Sequence, residues 1–245
     1  MDLCVVTLAE RPELASLLWE MAETWPAFMK EDPAADLVYP VAATEWAEFT
    51  LAAVDGDGRL VARALSVPFL LGGDELPGNG WDGVLWRAAR TRRRGDVPDT
   101  VSALEITVRP DVQGKGLSAV MLAALRDQAA RLGFARLVAP VRPSGKHLRP
   151  RTPMVEYAAE RRQDGLPADP WLRVHARAGG VVGEVASRSM TIAGTLREWR
   201  AWTGLPFDAT GDVEVPGALV PVHCDTAHDH AVYVEPNVWV THALR

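Results

Sequence analysis

The run Val108-Arg109-Pro110-Asp111-Val112-Gln113-Gly114-Lys115-Gly116-Leu117-Ser118 follows a strand-like apolar stretch and opens a long amphipathic pattern. A turn that leaves a strand and feeds a helix exposes main-chain N–H groups without partners, and the helix dipole adds positive character there. Gly114 and Gly116 let the main chain approach a bulky phosphate, and Lys115 adds charge, so the chemistry on offer is anion binding. Two familiar cradles are excluded by position. A Walker A loop needs a glycine five residues before Gly-Lys, where Arg109 precedes Gly114-Lys115 and Pro140 precedes Gly145-Lys146. A dinucleotide fingerprint needs a glycine three residues after Gly116, and that residue is Ala119.

A second cluster, Val222 to His230, carries nitrogen and sulfur donors: His223, Cys224, His228 and His230. Zinc takes about four such ligands in a tetrahedron. Adjacent His223 and Cys224 project to opposite faces of a strand, however, and Asp225 to Asp229 reads as a polar hairpin turn. A turn without metal is the expectation.

These residues need elements to position them. Cys4 to Leu8 reads as a strand, and Glu10-Arg11-Pro12-Glu13 opens a helix in which Leu14, Leu17, Leu18, Met21 and Trp25 recur near helical spacing. Pro26 and Pro33 interrupt it, and a short second helix fits Asp36 to Glu48. Phe49 to Val54 and Arg59 to Leu71 flank Asp55-Gly56-Asp57-Gly58 as a hairpin. Residues 72–99 read as a flexible insertion with a short helix at Trp81 to Ala89. Thr100 to Val108 is a strand. Leu117 to Leu132 is a helix with Leu117, Val120, Met121, Ala124, Leu125, Gln128 and Leu132 on one face and Gly133 at its end. Arg136 to Val141 is a strand, and Pro143, Pro150, Pro153 and Pro167 mark a second insertion over 142–168, with a short helix at Met154 to Arg162. Asp169-Pro170 caps and starts a helix that runs to about Ala178. Strands at Arg188 to Ala193, Ala218 to Cys224 and His230 to Val240, with a helix at Thr195 to Thr203, complete the chain.

The run from Gln113 to Ser118 resembles motif A of the GCN5-related N-acetyltransferase (GNAT) superfamily, Gln/Arg-x-x-Gly-x-Gly/Ala, with Gln113, Gly116 and Ser118 on its three defined positions. Serine replaces the usual glycine or alanine at Ser118. The order strand, helix, helix, hairpin, strand, cradle, helix, strand over the first 140 or so residues is similar to that family's. Val174 to Gly180 weakly resembles its motif B, Phe-Tyr-x-x-x-Gly-Phe: His175 falls on the tyrosine, Gly179 on the glycine, and both aromatics are absent. The resemblance implies a single α/β domain over 1–245, a mixed and mostly antiparallel sheet flanked by helices, with an elaborated C-terminal part.

It also implies acyl-CoA-dependent N-acyl transfer, with acetyl-CoA as co-substrate, a small amine as acceptor and no metal. The main chain of Ile106 and Val108 would hold the pantetheine arm, and the N–H groups of Gln113, Gly114, Lys115, Gly116, Leu117 and Ser118 would hold the pyrophosphate. Glu105 is either the base that takes the amine proton or a polar residue that alternation places on the strand's other face. His175 either protonates the departing thiolate or is a satisfied helical histidine. A non-catalytic acyl-CoA sensor and transfer of a longer acyl chain are the rival readings.

Composition narrows the classes. With 245 residues, 48% of them hydrophobic, the chain can bury a substantial core, and no apolar run reaches the roughly 20 residues that span a bilayer. The net charge of −6 argues against nucleic-acid binding, and Arg90 with Arg92, Arg93 and Arg94 reads as a solvated surface segment. Cys4 and Cys224 are too few for a disulfide framework, and Met1-Asp2-Leu3-Cys4 lacks a basic, signal-like start, so a cytoplasmic protein is expected, with a homodimer allowed. Nine tryptophans suggest core fillers, one or two of which line the acceptor pocket.

Overall fold

Alternating or wholly apolar β-rich runs build one sheet, and helices cover its two faces. In the computed structural model, residues 3–244 are described. The strands are β1 (Leu3–Thr7), β2 (Thr50–Asp55), β3 (Leu60–Phe69), β4 (Thr100–Val108), β5 (Arg136–Val141), β6 (Val181–Gly194), β7 (Gly211–Val213), β8 (Val222–Asp225) and β9 (His230–Ala243). The helices are α1 (Ala15–Glu20), α2 (Ala42–Glu45), α3 (Gly80–Arg94), α4 (Leu117–Arg131), α5 (Met154–Ala159), α6 (Pro170–Arg177) and α7 (Leu196–Thr203). The sheet runs β1-β2-β3-β4-β5-β9-β8-β7, and β6 lies along the other edge of β9. Every pairing is antiparallel except β4 with β5. The expected mixed, mostly antiparallel sheet is the architecture observed.

The parallel pair matters most. β4 and β5 are in register only at Val101↔Leu137 and Ser102↔Val138, after which they diverge. From Ala103 onward β4 keeps β3 on one edge and pairs with no strand on the other among the described residues. A bulge between Leu65↔Glu105 and Ser66↔Ala103 bends it further. β9 continues the sheet beyond β5 through Val138↔Thr241 and its neighbours.

Several elements depart from the sequence reading for identifiable reasons. Residues 80–94 form a full helix rather than part of a flexible insertion. Val84, Leu85 and Ala88 are fully buried against the sheet, and Gly95, at φ +69°, ends the helix in the left-handed conformation. Arg90, Arg92, Arg93 and Arg94 lie exposed, the last three in its final turn, where the dipole favours cations. The segment 36–48 is not one helix but 3-10 turns at Pro33–Leu37, Tyr39–Val41 and Ala47–Phe49 around α2, because Pro33 and Pro40 break the hydrogen-bond ladder. On α4 the buried residues are Leu117, Met121, Leu122, Leu125, Gln128 and Ala129, so the core face is rotated from the expected one and Val120 is exposed.

The second insertion is ordered by two buried pegs. Lys146, fully buried, donates to the carbonyls of Arg149 (2.8 Å), Pro150 (3.2 Å) and Leu219 (2.6 Å), which uses all three ammonium protons. Asp169 caps α6 through the N–H groups of Trp171 and Leu172, as the Asp-Pro signal implied. Its other oxygen accepts from Gly145 N–H and the Tyr157 hydroxyl, which ties α5 to α6.

Candidate active site

The cradle forms as the sequence requires. Gly114 (φ +77°) and Gly116 (φ +81°) adopt left-handed backbone, and nothing lies within 4 Å of where a Cβ would stand on either. Gln113 departs from expectation: its N–H closes a 3-10 turn on Pro110 O, and its side-chain amide donates to Val108 O at 3.1 Å. The amide therefore braces the loop, and the Val108 carbonyl is occupied rather than free for a ligand. Among the described residues, the N–H groups of Gly114, Lys115, Gly116, Leu117 and Ser118 have no acceptor. Five free donors at the N-terminus of a helix of 15 residues make an anion site.

The strand divergence opens a cavity of about 830 Å³ beside this loop. Ala103 to Val108 of β4 line one side, Ala139 to Val141 of β5 another, and Gln113 and Ser118 stand at the cradle end. The far end is aromatic. Trp19, Tyr39 and Trp81 follow one another at centroid distances of 5.6 and 6.1 Å, and Trp25 lies over the Arg142 guanidinium at 5.7 Å. Four tryptophans line the cavity (Trp19, Trp25, Trp81 and Trp171), while Trp46, Trp199 and Trp239 fill the core.

Glu105 lines the cavity and is 7% exposed, so neither the solvent face nor the helix-covered face holds it. Its Oε1 accepts from Arg63 Nε (2.5 Å) and Thr107 Oγ1 (2.8 Å), and its Oε2 from the Tyr39 hydroxyl (2.9 Å). Burial and the Glu105 charge push the Tyr39 hydroxyl well above its usual range, so it stays a donor. Arg63, equally buried, also donates to Glu23 (2.6 Å) and Leu18 O (2.6 Å). The pairing with Glu105 and Glu23 outweighs burial and holds the guanidinium's pKa up. Sequence reasoning missed Arg63. The signal was there: a lone arginine inside the apolar run Leu60 to Leu71 has to be paired.

His175 also lines the cavity and is 1% exposed. Its Nδ1 meets Nε2 of His242, 67 positions further along the chain, at 3.0 Å. Burial, reinforced by His242, lowers its pKa to about 3, and burial lowers that of His242 to about 4. Of the two readings of His175, its burial and its contact with His242 fit the satisfied helical histidine. Gly180 packs so tightly on His242 that a Cβ would come within 2.6 Å of that ring.

The turn after β8 is built by Asp225, which accepts from the N–H groups of Ala227 and His228. His223 is exposed and Cys224 buried, on opposite faces as alternation dictates. Among the described residues no group of three or more His, Cys, Asp or Glu side chains converges on one point. Likewise, no helix is long and apolar enough to cross a membrane.

Comparison with known proteins decides the family. No family model matches the chain. The arginine N-acetyltransferase avaD of Aspergillus versicolor is 32% identical over 97% of this chain and 93% of its own length. The chain belongs to the GCN5-related N-acetyltransferase superfamily. Two solved structures share the fold. The loading GNATL domain of CurA from Lyngbya majuscula has a TM-score of 0.62 at 16% identity, covering 99% of this chain and 96% of that one. The GNAT-like decarboxylase GphF, in complex with isobutyryl-CoA, has a TM-score of 0.56 at 17% identity and full coverage of both chains. The protein is an acyl-CoA-dependent N-acyltransferase.

Proposed function

We propose that this enzyme transfers acetyl from acetyl-CoA to the amine of a small guanidine-bearing molecule, arginine being the first candidate. The observation that carries this reading is the charge balance of the cavity. At its wall Glu23 pairs with Lys30 and Arg63, Glu105 with Arg63, and Arg142 with Glu235, which lies buried behind the lining and takes up the Arg142 charge. Asp36 is the one lining carboxylate without an ion-pair partner among the described residues. An aromatic cavity with one unmatched negative charge suits a cationic acceptor, and the arginine N-acetyltransferase relative supports the same class.

In this reading the pyrophosphate sits on the N–H groups of Gly114 to Ser118, and the pantetheine arm lies along the unpaired edge of β4 near Ile106. The amine attacks the thioester carbon in a ternary complex, so binding makes the reaction effectively intramolecular. Glu105 takes the amine proton through Oε2, directly or by one water, because Oε1 is already filled by Arg63 and Thr107. With His175 held neutral by burial, the CoA sulfur leaves as the thiolate and takes its proton from solvent. Free Cys4 and Cys224 suit a reducing cytoplasm. The test is a panel of amines with and without a guanidinium group, assayed with acetyl-, propionyl- and isobutyryl-CoA while free thiol is followed. Preference for acetyl-CoA with guanidine-bearing amines supports the proposal, and equal rates with neutral-tailed amines overturn it.

A further inference from the structure

The acceptor half of the cavity is walled by residues 26–41, which contain no strand and only short 3-10 turns. Asp32 caps the turn Pro33–Leu37, its Oδ1 accepting from Ala34 N–H at 2.9 Å. Asp82, in the first turn of α3, accepts through Oδ2 from Thr191 N–H of β6 at 3.0 Å. The two side chains are 2% and 3% exposed. Their remaining oxygens, Asp32 Oδ2 and Asp82 Oδ1, are both buried without a partner among the described residues, on two elements that pack against each other, the turn Pro33–Leu37 with its cap and α3. An ionised carboxylate only accepts, so two such oxygens can satisfy each other only if one of them carries a proton.

We propose that Asp32 and Asp82 share one proton, and that this proton pins the acceptor wall to α3 and β6. The pair are positioning residues: they touch no reacting atom but hold Ala35, Asp36 and Tyr39 at the cavity. The link to catalysis rests on the acceptor reading above; the shared proton does not. From a third element, Glu235 of β9 adds like charge to both, while its own partners are Arg142, Tyr233 and Asn237. The first-turn position in α3 favours an anion at Asp82, but burial and the neighbouring Asp32 outweigh it. They raise its pKa to about 8, and burial raises that of Asp32.

The sign follows by linkage. Below about pH 4 both folded and unfolded chains hold the proton, and its stabilisation is complete. Between about 4 and 8 only the folded chain holds it, so stability falls as pH rises. Above about 8 the loss levels off, and two facing carboxylates repel each other.

The Asp82→Asn variant can still accept from Thr191 N–H and donate to Asp32, but it cannot titrate. Melting temperatures of wild type and D82N are compared from pH 5 to 9, with the difference removing every other titrating group. The expected difference moves in favour of D82N by about 3–5 °C per pH unit up to about pH 8, then levels. The KM of the wild type for arginine rises severalfold above pH 8, while that of D82N does not and KM for acetyl-CoA is unchanged in both. Parallel melting curves overturn the shared proton. A melting difference without the KM difference overturns the positioning role. If wild type turns over no guanidine-bearing amine, the acceptor reading fails, but the melting arm still decides the proton. Should D82N not fold, Asp32→Asn carries the same test, because its amide can donate to Asp82 while still capping Ala34.

Discussion

The Arg63–Glu105 pair yields a prediction that separates packing from chemistry. Glu105→Gln preserves shape and can still accept from Arg63 and Thr107, but it removes a negative charge beside a guanidinium that is 4% exposed. Removing one partner of a buried pair costs about 3–5 kcal/mol. Arg63 keeps Glu23 and Leu18 O on its other nitrogens, which puts the cost at the low end, about 3 kcal/mol. A chain of this size loses about 2–4 °C of melting temperature per kcal/mol, so E105Q should melt about 6–12 °C below wild type. Loss of a general base lowers kcat by about 10²-fold or more, with KM for acetyl-CoA nearly unchanged. Differential scanning calorimetry and steady-state kinetics with arginine, below the variant's melting range, read both effects. A melting temperature within about 2 °C of wild type would refute the buried-pair argument. A stable E105Q enzyme with kcat within threefold of wild type would remove Glu105 as the base.

Other perturbations test other parts of the molecule. Gly116→Ala forces an alanine to φ +81°, which costs about 1–2 kcal/mol, so the melting temperature should fall by about 2–8 °C with little change in KM for arginine. Lys146→Met strands three buried carbonyls at about 1 kcal/mol each and should lower the melting temperature by about 6–12 °C, whereas exposed Lys115→Met leaves it within about 2 °C. His175, with its pKa lowered to about 3 against about 6.5 when unfolded, gives stability that is full above about 6.5 and lost as pH falls towards 3. His175→Phe should therefore flatten the acid side of the melting curve, and the kcat profile of the wild type should show no inflection from this residue between pH 5 and 9.

What was legible in the sequence was whatever local backbone chemistry dictates. Gly114 and Gly116 announce a glycine-bearing turn, Asp169-Pro170 announces a helix start, and Arg59 to Leu71 announces a hairpin strand, observed over Leu60–Phe69. No residue type in β4 or β5 marks their divergence, which only the fold makes visible. Partners distant in sequence were not legible: Tyr39 and Arg63 reach Glu105 across 66 and 42 positions, and His242 reaches His175 across 67. The motif B position left two readings of its histidine open, and the partner that bears on them, His242, lies too far along the chain to be read from the motif. The helix α3 was misread because Gly78, Gly80 and Gly83 look like loop residues. Gly80 and Gly83 are required instead by contact, with Cβ positions that would meet Ser189 Oγ and Asn79 Oδ1 at 2.1 Å.

The central claim is that this fold passes an acetyl group from CoA to a guanidine-bearing amine. Its most direct measurement incubates the purified enzyme with acetyl-CoA and arginine, quantifying free CoA thiol and the arginine product by mass spectrometry. The account predicts equal amounts of thiol and mono-acetylated arginine, with thiol release dependent on both arginine and enzyme. Thiol release no faster with arginine or any other guanidine-bearing amine than without would contradict it.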